Sequence, residues 1–159
     1  VLPEAKKLAC LPAGRVKRLI HVFGCTGDRD KTKRPLMGEI ASKYDDVIIL
    51  THEDTYSEDP KKIISEIEIG INKNVFRHSG EPEATPESDS GRGQNDVELY
   101  FKIYDRKDAI KKALEMAKPG DVVIITGVGH QKSLNIGGKE VPWSDQKVVR
   151  ELLDKNGRV

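Results

Sequence analysis

Residues Val47–Leu50 read Val-Ile-Ile-Leu, apolar at every position and rich in β-branched side chains. Side chains of a strand alternate between its two faces, so a half-exposed strand alternates in polarity. An unbroken apolar tetrad therefore predicts a strand covered on both faces, as in a parallel sheet sandwiched by helices. Two further runs share this character: 18–23 (RLIHVF), ended by Gly24, and 121–126 (DVVIIT), which leads into GVGH. A fourth, 97–104 (VELYFKIY), alternates well enough for a strand.

Helical patterns fall between these runs. Pro35 is placed to open PLMGEIASKY, with Leu36, Ile40 and Tyr44 on its inner face. Asp59 and Pro60 read as cap and first turn of a helix carrying Ile63, Ile64, Ile67 and Ile71. Asp105 can cap RKDAIKKALEMAK, whose apolar face is Ala109, Ile110, Ala113, Leu114 and Ala117. LNIGGKEVPW predicts a hairpin turning at Gly137-Gly138. Ser144-Asp145 can cap a last helix, with Asn156-Gly157 as its stop. Strands alternating with helices give an α/β domain with a largely parallel sheet. The stretch 74–96 breaks the rhythm. It is rich in Gly, Pro, Ser and acids, and reads as a flexible loop insertion, disordered or functional.

At 159 residues one domain is expected. A net charge of +1 argues against a general nucleic-acid binder. No apolar run approaches the ~20 residues of a bilayer span, and no signal peptide opens the chain. Cys10 and Cys25 have neither metal-ligand nor disulfide-scaffold spacing. A cytoplasmic location, away from membranes, is the resulting expectation. A chain opening on Val1 rather than Met is expected to be a fragment or a processed form.

In parallel α/β sheets, ligands meet the loops beyond the carboxyl ends of the strands. Three such loops carry chemistry. The first, 24–34, gathers Asp28, Arg29, Asp30, Lys31, Lys33 and Arg34 behind two glycines. Arg29 could grip a carboxylate or phosphate through paired N–H donors. Alternatively, an Asp–Arg network fastens the loop while Lys31, Lys33 and Arg34 are solvated. The second, 51–57, offers Thr51, His52, Glu53, Asp54 and Tyr56 to an ammonium or polar ligand, or is a helix entry rich in capping acids. The third, GVGHQK, has two flexible glycines and a histidine that reads as structural. His21 reads as a packed strand residue, His78 lies in the loose stretch, and Trp143 reads as a core or edge aromatic. Neither GxxxxGK[ST] nor GxGxxG occurs.

Together these segments resemble one family. VFGCTGDRDKTKRPLMGEIA is similar to the VFGCGGDRDxGKRPxMG signature that opens the C-terminal domain of Mur ligases, in the UDP-N-acetylmuramyl-tripeptide synthetase branch. The likeness continues through DVIILT, the SEDP…II helix, DRKDAIKKALEMAKPGDVVIITGVGH and GGKEVPWSDQKVVRELL. It implies a Rossmann-like three-layer domain: a mostly parallel sheet with one antiparallel strand, a C-terminal hairpin and helices on both faces. The chain would be that single domain over 1–159, with 1–17 a linker from a central domain.

The resemblance also implies a function. The whole enzyme would be an ATP-dependent amide-bond ligase adding the third stem-peptide amino acid to UDP-MurNAc-L-Ala-D-Glu in peptidoglycan synthesis. ATP and Mg2+ would be held by the central domain, with none expected on this fragment alone. The partners implied are the UDP-MurNAc-dipeptide, an amino acid, and the N-terminal and central domains. This chain would be an amino-acid-binding and closing module, inactive alone. Carried over by motif, Arg29 matches the carboxylate-gripping arginine of GDRD. Glu53, Asp54, Thr55 and Tyr56 occupy the DNPR positions. Gly127 and Gln131 match the first glycine and the glutamate of GKGHE.

Three positions depart from the family. Tyr56 stands for the DNPR arginine, Val128 for the GKGHE lysine and Gln131 for its glutamate. A phenol does not replace a guanidinium fork, so the usual diaminopimelate preference is expected to be absent. A lysine-using enzyme with Glu53 and Asp54 as an acidic pair is one reading. Rivals are a non-catalytic regulatory domain that kept the fold, or a sister ligase such as folylpolyglutamate synthetase or cyanophycin synthetase.

Overall fold

A computed structural model describes residues 16–77 and 99–155. Its sheet holds β1 (Leu19–Phe23), β2 (Val47–Leu50), β3 (Leu99–Lys102) and β4 (Val122–Ile125), ordered β3-β2-β1-β4 and parallel throughout. The tetrad Val47–Leu50 is wholly buried in the sheet interior, as its unbroken apolar character requires. The helices are α1 (Lys33–Tyr44), α2 (Pro60–Arg77), α3 (Arg106–Met116) and α4 (Asp145–Lys155). α2 runs to Arg77, four residues into the stretch read as loop. Residues 1–15 of the linker expected over 1–17, residues 78–98 with His78, and the Asn156-Gly157 stop lie outside the described residues.

Two apolar cores lie on opposite faces of the sheet. Ile20, Val22, Val47 and Ile49 meet α3 and α4 through Ala109, Ile110, Ala113, Val148 and Leu152. Phe23, Ile48 and Leu50 meet α1 and α2 through Ala41, Ile63, Ile64, Ile67 and Ile71. Each fully buried Ile, Leu or Val contributes about 1.5–3 kcal/mol. Helix starts follow local chemistry: Asp105 accepts from the Asp108 amide at 3.0 Å, and the Asp59 side chain from the Lys61 amide at 2.9 Å.

One helix face differs from expectation. Leu36, Ile40 and Tyr44 are 57%, 57% and 66% exposed, so they point outward. α1 buries Arg34, Gly38, Ala41 and Ser42 instead. The cause is α2, which lies so close that a Cβ on Gly38 would stand 2.1 Å from the Ile67 carbonyl oxygen. Only small side chains fit that seam.

The antiparallel pairing lies in a hairpin, β5 (Ser133–Ile136) with β6 (Lys139–Pro142), which turns at Gly137 and Gly138 with φ of +60° and +79°. Its backbone docks on the second loop, where the Asn135 carbonyl accepts from the Thr55 amide at 2.8 Å. His21 is strapped on both ring nitrogens, by Asp45 at 2.7 Å and Thr126 at 3.0 Å, and packs on Phe23. The chain steps from β1 to β2 to β3 and then returns past β1 to β4. The loops that follow β1 and β4 thus lie at the strand reversal, the place where sheets of this kind bind ligands.

Candidate functional site at the strand reversal

The loop after β1 lies against the second loop with no room for side chains at its glycines. A Cβ on Gly24 would meet the Thr51 carbonyl at 2.1 Å, and one on Gly27 the Thr55 carbonyl at 2.0 Å. Four of the loop's six charges then fasten it. Asp28, held at φ +51°, accepts from the Ser57 amide and hydroxyl. Asp30 accepts from the Thr32 amide and hydroxyl. Lys31 pairs with Glu58 at 3.1 Å. Arg34, expected to be solvated in the fastening reading, is fully buried. It donates to Glu58 at 2.9 Å, Glu66 at 2.6 Å and the Thr26 carbonyl at 3.1 Å. Arg29 is exposed, and among the described residues no hydrogen bond or ion pair engages it.

Arg34 makes this loop acid-sensitive. Its hydrogen bonds hold the Glu58 carboxyl down to about 2 from an ordinary value of 4.5. A carboxyl depressed on folding stabilises the fold above its unfolded value, and that contribution is lost as pH falls toward the folded value. Asp121, held low by Arg18, behaves alike. Stability should therefore fall progressively from about pH 4.5 to about pH 2, and Glu58→Gln should flatten that limb. Urea melts across this range check it; an unchanged acid limb in the variant would remove Glu58 as its source.

The second loop turns inward. Glu53 accepts from the Gly24 amide at 3.2 Å and the Thr26 hydroxyl at 3.4 Å, and burial pushes its carboxyl above the usual range. It lies flush on Gly127, where a Cβ would stand 1.9 Å from Glu53 Oε1. Gly127 also has a φ of +106°, a backbone conformation that favours glycine. Asp54 is buried and accepts from the Asn135 amide at 2.7 Å and Gln131 Nε2 at 3.0 Å. Thr55 Oγ1 accepts from the Gly137 amide at 3.0 Å. Glu53 and Asp54 are thus held by different partners, Glu53 by the first loop and Asp54 by the third loop and the hairpin. Tyr56, at φ +47°, borders an open cleft of about 530 Å3 with Asp28, Glu58 and the Gly137-Gly138 turn. The three acids that line that cleft, Asp28, Glu58 and Asp59, are already engaged.

In the third loop Val128 is buried, where a lysine stands in the motif, and His130 is exposed. His52 is half-buried, and desolvation keeps its imidazole below its ordinary value. Burial pushes the Cys25 thiol up to about 11, an unreactive state. Among the described residues no cluster of His, Cys, Asp and Glu could hold a metal, and no helix is long and apolar enough to cross a membrane.

Two features escaped the sequence. Arg106, fully buried, forks onto Asp145 at 2.8 and 2.8 Å and donates to the Thr126 carbonyl at 2.9 Å, beside Gly127. Trp143 Nε1 donates to the same aspartate at 2.8 Å. Asn135, on the docked hairpin, joins the Asp54 cluster. The only one-dimensional hint to the first was an arginine directly after a cap in an otherwise apolar-faced helix.

Comparison with known proteins agrees with this architecture. The chain is 43% identical over 136 residues to a UDP-N-acetylmuramoyl-L-alanyl-D-glutamate–2,6-diaminopimelate ligase of Caldanaerobacter subterraneus subsp. tengcongensis, covering 86% of this chain and 24% of that protein. It is 41% identical over 157 residues to the Aquifex aeolicus protein of the same name, covering 99% of this chain and 27% of that one. A solved structure of a ligase of that name superposes with a TM-score of 0.71 at 30% identity, over 97% of this chain and 27% of that one. The chain thus spans about a quarter of the length of the curated relatives it matches. The model of the Mur ligase, glutamate ligase domain matches residues 5–129. With the parallel sheet, the strand reversal and the GDRD loop in place, the chain belongs to the Mur ligase family, as its C-terminal, glutamate ligase domain.

Proposed function

We propose that this chain is the amino-acid-binding and closing domain of an ATP-dependent ligase that adds the third stem-peptide residue to UDP-MurNAc-L-Ala-D-Glu. The observation that carries the reading is Arg29. It sits exposed in the loop after β1, at the strand reversal, while Asp28, Asp30, Lys31 and Arg34 fasten that loop. A guanidinium left free on a fastened loop keeps its planar fork available for a bidentate carboxylate, at the cost of ordering its side chain on binding. The relatives' names, which specify a ligase acting on a muramoyl-dipeptide and an amino acid, support the same assignment.

In this reading Arg29 holds the α-carboxylate of the incoming amino acid. The side chain lies toward Gly127 and Gln131, the third-loop positions that match the motif. Domain closure brings the amine to the activated acyl group and excludes water from it. The sequence has no GxxxxGK[ST] motif, so nucleotide and Mg2+ are assigned to the remainder of the ligase. A cytoplasmic site of action fits soluble nucleotide-linked substrates.

Arg29→Ala in the full-length ligase is the direct test. Losing a charge-assisted contact should raise KM for the amino acid roughly 10–100-fold. KM for ATP and for the dipeptide substrate should stay unchanged. Steady-state kinetics with each substrate varied in turn separates these. An unchanged amino-acid KM would remove Arg29 from binding.

A further inference from the structure

The register of the sheet sets three side chains in a row. His21 lies opposite Ile124 across the β1–β4 ladder, so Thr126, two residues on, shares its face of the sheet. Asp45 directly follows α1 and reaches the same imidazole. His21 Nδ1 is 2.7 Å from Asp45 Oδ2, and Nε2 is 3.0 Å from Thr126 Oγ1. A carboxylate only accepts, which puts the ring proton on Nδ1 and leaves the Nε2 lone pair to the Thr126 hydroxyl. The hydroxyl therefore donates to a base that a carboxylate orients, which is the arrangement of an activated nucleophile.

Three further observations set this row apart from a packing contact. Asp45 is buried at the C-terminal end of α1, where the helix dipole disfavours an acid. Among the described residues the imidazole is the one hydrogen-bond partner of its side chain, so the acid serves His21 rather than the helix. Exposure then rises along the row. The His21 side chain is 21% exposed and Thr126 is exposed, so the orienting acid is dry and the hydroxyl is open. Finally, the apolar core on this face includes side chains of β1 and β2 but none of β4. β4 thus presents Val122, 39% exposed, and half-buried Ile124 in line with Thr126, an apolar strip leading to the hydroxyl. The next amide, that of Gly127, engages no acceptor among the described residues and stands beside the reacting oxygen.

We propose that Thr126 is a nucleophile, with His21 its general base and Asp45 a positioning residue, and that it takes a short apolar acyl group from an activated ester and passes it to water. Thr126 Oγ1 attacks the ester carbonyl carbon as its proton moves to His21 Nε2. The bond from that carbon to the leaving oxygen breaks, and the leaving oxygen takes the proton from His21. An acyl ester on Thr126 and a free alcohol result. Water then attacks the acyl carbon and gives a proton to His21, and the Thr126 oxygen leaves and recovers that proton. Ester and water become acid and alcohol, with no nucleotide or oxidant consumed. The Gly127 amide donates to the carbonyl oxygen as it gains negative charge. This chemistry is separate from ligation.

The test treats the full-length protein, without ATP, with p-nitrophenyl butyrate and follows p-nitrophenol release. A burst should precede slower turnover, and peptide mass spectrometry of the quenched protein should place the butyryl group on Thr126. Thr126→Val keeps the shape but removes the hydroxyl, and should lose both burst and adduct. Thr126→Ser should keep both. Asp45→Asn should slow the burst at least about 100-fold without lowering its amplitude, because every folded molecule still carries the hydroxyl. If Asp45 only held the fold together, the amplitude would drop with the folded fraction and the rate would stay, and the proposal would fail. The Thr126 pair decides the matter even where Asp45→Asn does not fold. Butyryl groups found on lysines alone, or a wild-type burst in Thr126→Val, likewise overturn the assignment.

Discussion

Arg106→Leu should destabilise the protein by about 3–5 kcal/mol, because it strips a buried carboxylate of its counter-charge. In a chain of this size that lowers Tm by roughly 6–20 °C. Arg106 is fully buried and Asp145 is 94% buried by side chain, so neither end can turn to water without the fold opening. Asp145 begins α4, where the helix dipole favours an acid; Arg106 begins α3, where the dipole opposes a cation. The fork therefore joins two helix starts, and its third contact, to the Thr126 carbonyl, ties both to the end of β4.

The pH behaviour of that variant follows from the same geometry. In the native protein burial opposes ionisation of Asp145, but hydrogen bonds from Arg106 and Trp143 prevail and hold its carboxyl below the usual range. Without Arg106 only desolvation and the indole remain, and the carboxyl moves upward. A raised carboxyl stabilises the folded state at low pH and costs stability as pH rises. The gap between variant and native protein should thus be largest above neutrality and narrow as pH falls through the carboxylate range. Arg106→Leu/Asp145→Leu should recover much of the loss, since a buried ion pair exchanged for apolar residues is often close to neutral. Urea melts of the three proteins at pH 5 and 8 decide it. A loss under about 1 kcal/mol in the single variant, or a double variant worse than the single, would show that the fork does not hold the helices. In the ligase proposed above, the same change frees the Thr126 carbonyl beside Gly127, and amino-acid KM should worsen even in folded Arg106→Leu.

These buried cations also mark where sequence reading stops. The strands and helices were legible because each is specified locally: an apolar tetrad, isoleucines at helical spacing, an aspartate one residue before a helix, two glycines at a hairpin turn. The three loops were legible as a set, because a parallel sheet sends its functional loops to one end. What the loops do was only half visible. Arg34 and Arg106 both look like surface residues in one dimension, yet their partners lie 24, 32 and 39 residues away and draw them inside. Glu53 and Asp54 are adjacent in sequence but are held by different loops. Asn135 gains its meaning only when the hairpin docks on the Thr55 amide. In each case the deciding partner is far along the chain, and no periodicity encodes it.

Gly70→Ala should destabilise by about 3 kcal/mol, at the upper end of overpacking effects, although glycine-to-alanine inside a helix ordinarily stabilises by about 0.5–1 kcal/mol. The sign reverses because of the seam between α1 and α2. A Cβ on Gly70 would stand 1.8 Å from the Pro35 carbonyl oxygen and 2.7 Å from the Glu39 amide nitrogen. Both are backbone atoms, so no side chain can turn aside, and the helices would have to separate. Separation loosens the Ile63, Ile64, Ile67 and Ile71 core and pulls Arg34 from Glu66, which α2 supplies. The same seam explains why apolar periodicity assigned Leu36, Ile40 and Tyr44 to the wrong face: α1 meets its neighbour through its smallest residues, and its large ones are left outside. Ile69, adjacent to Gly70 but 52% exposed, is the control, and Ile69→Ala should stay within about 0.5 kcal/mol. Thermal and urea melts of both variants test the contrast. If Gly70→Ala melts at or above the native temperature, the helices do not approach to backbone contact, and the exposure of the Leu36 stripe needs another cause.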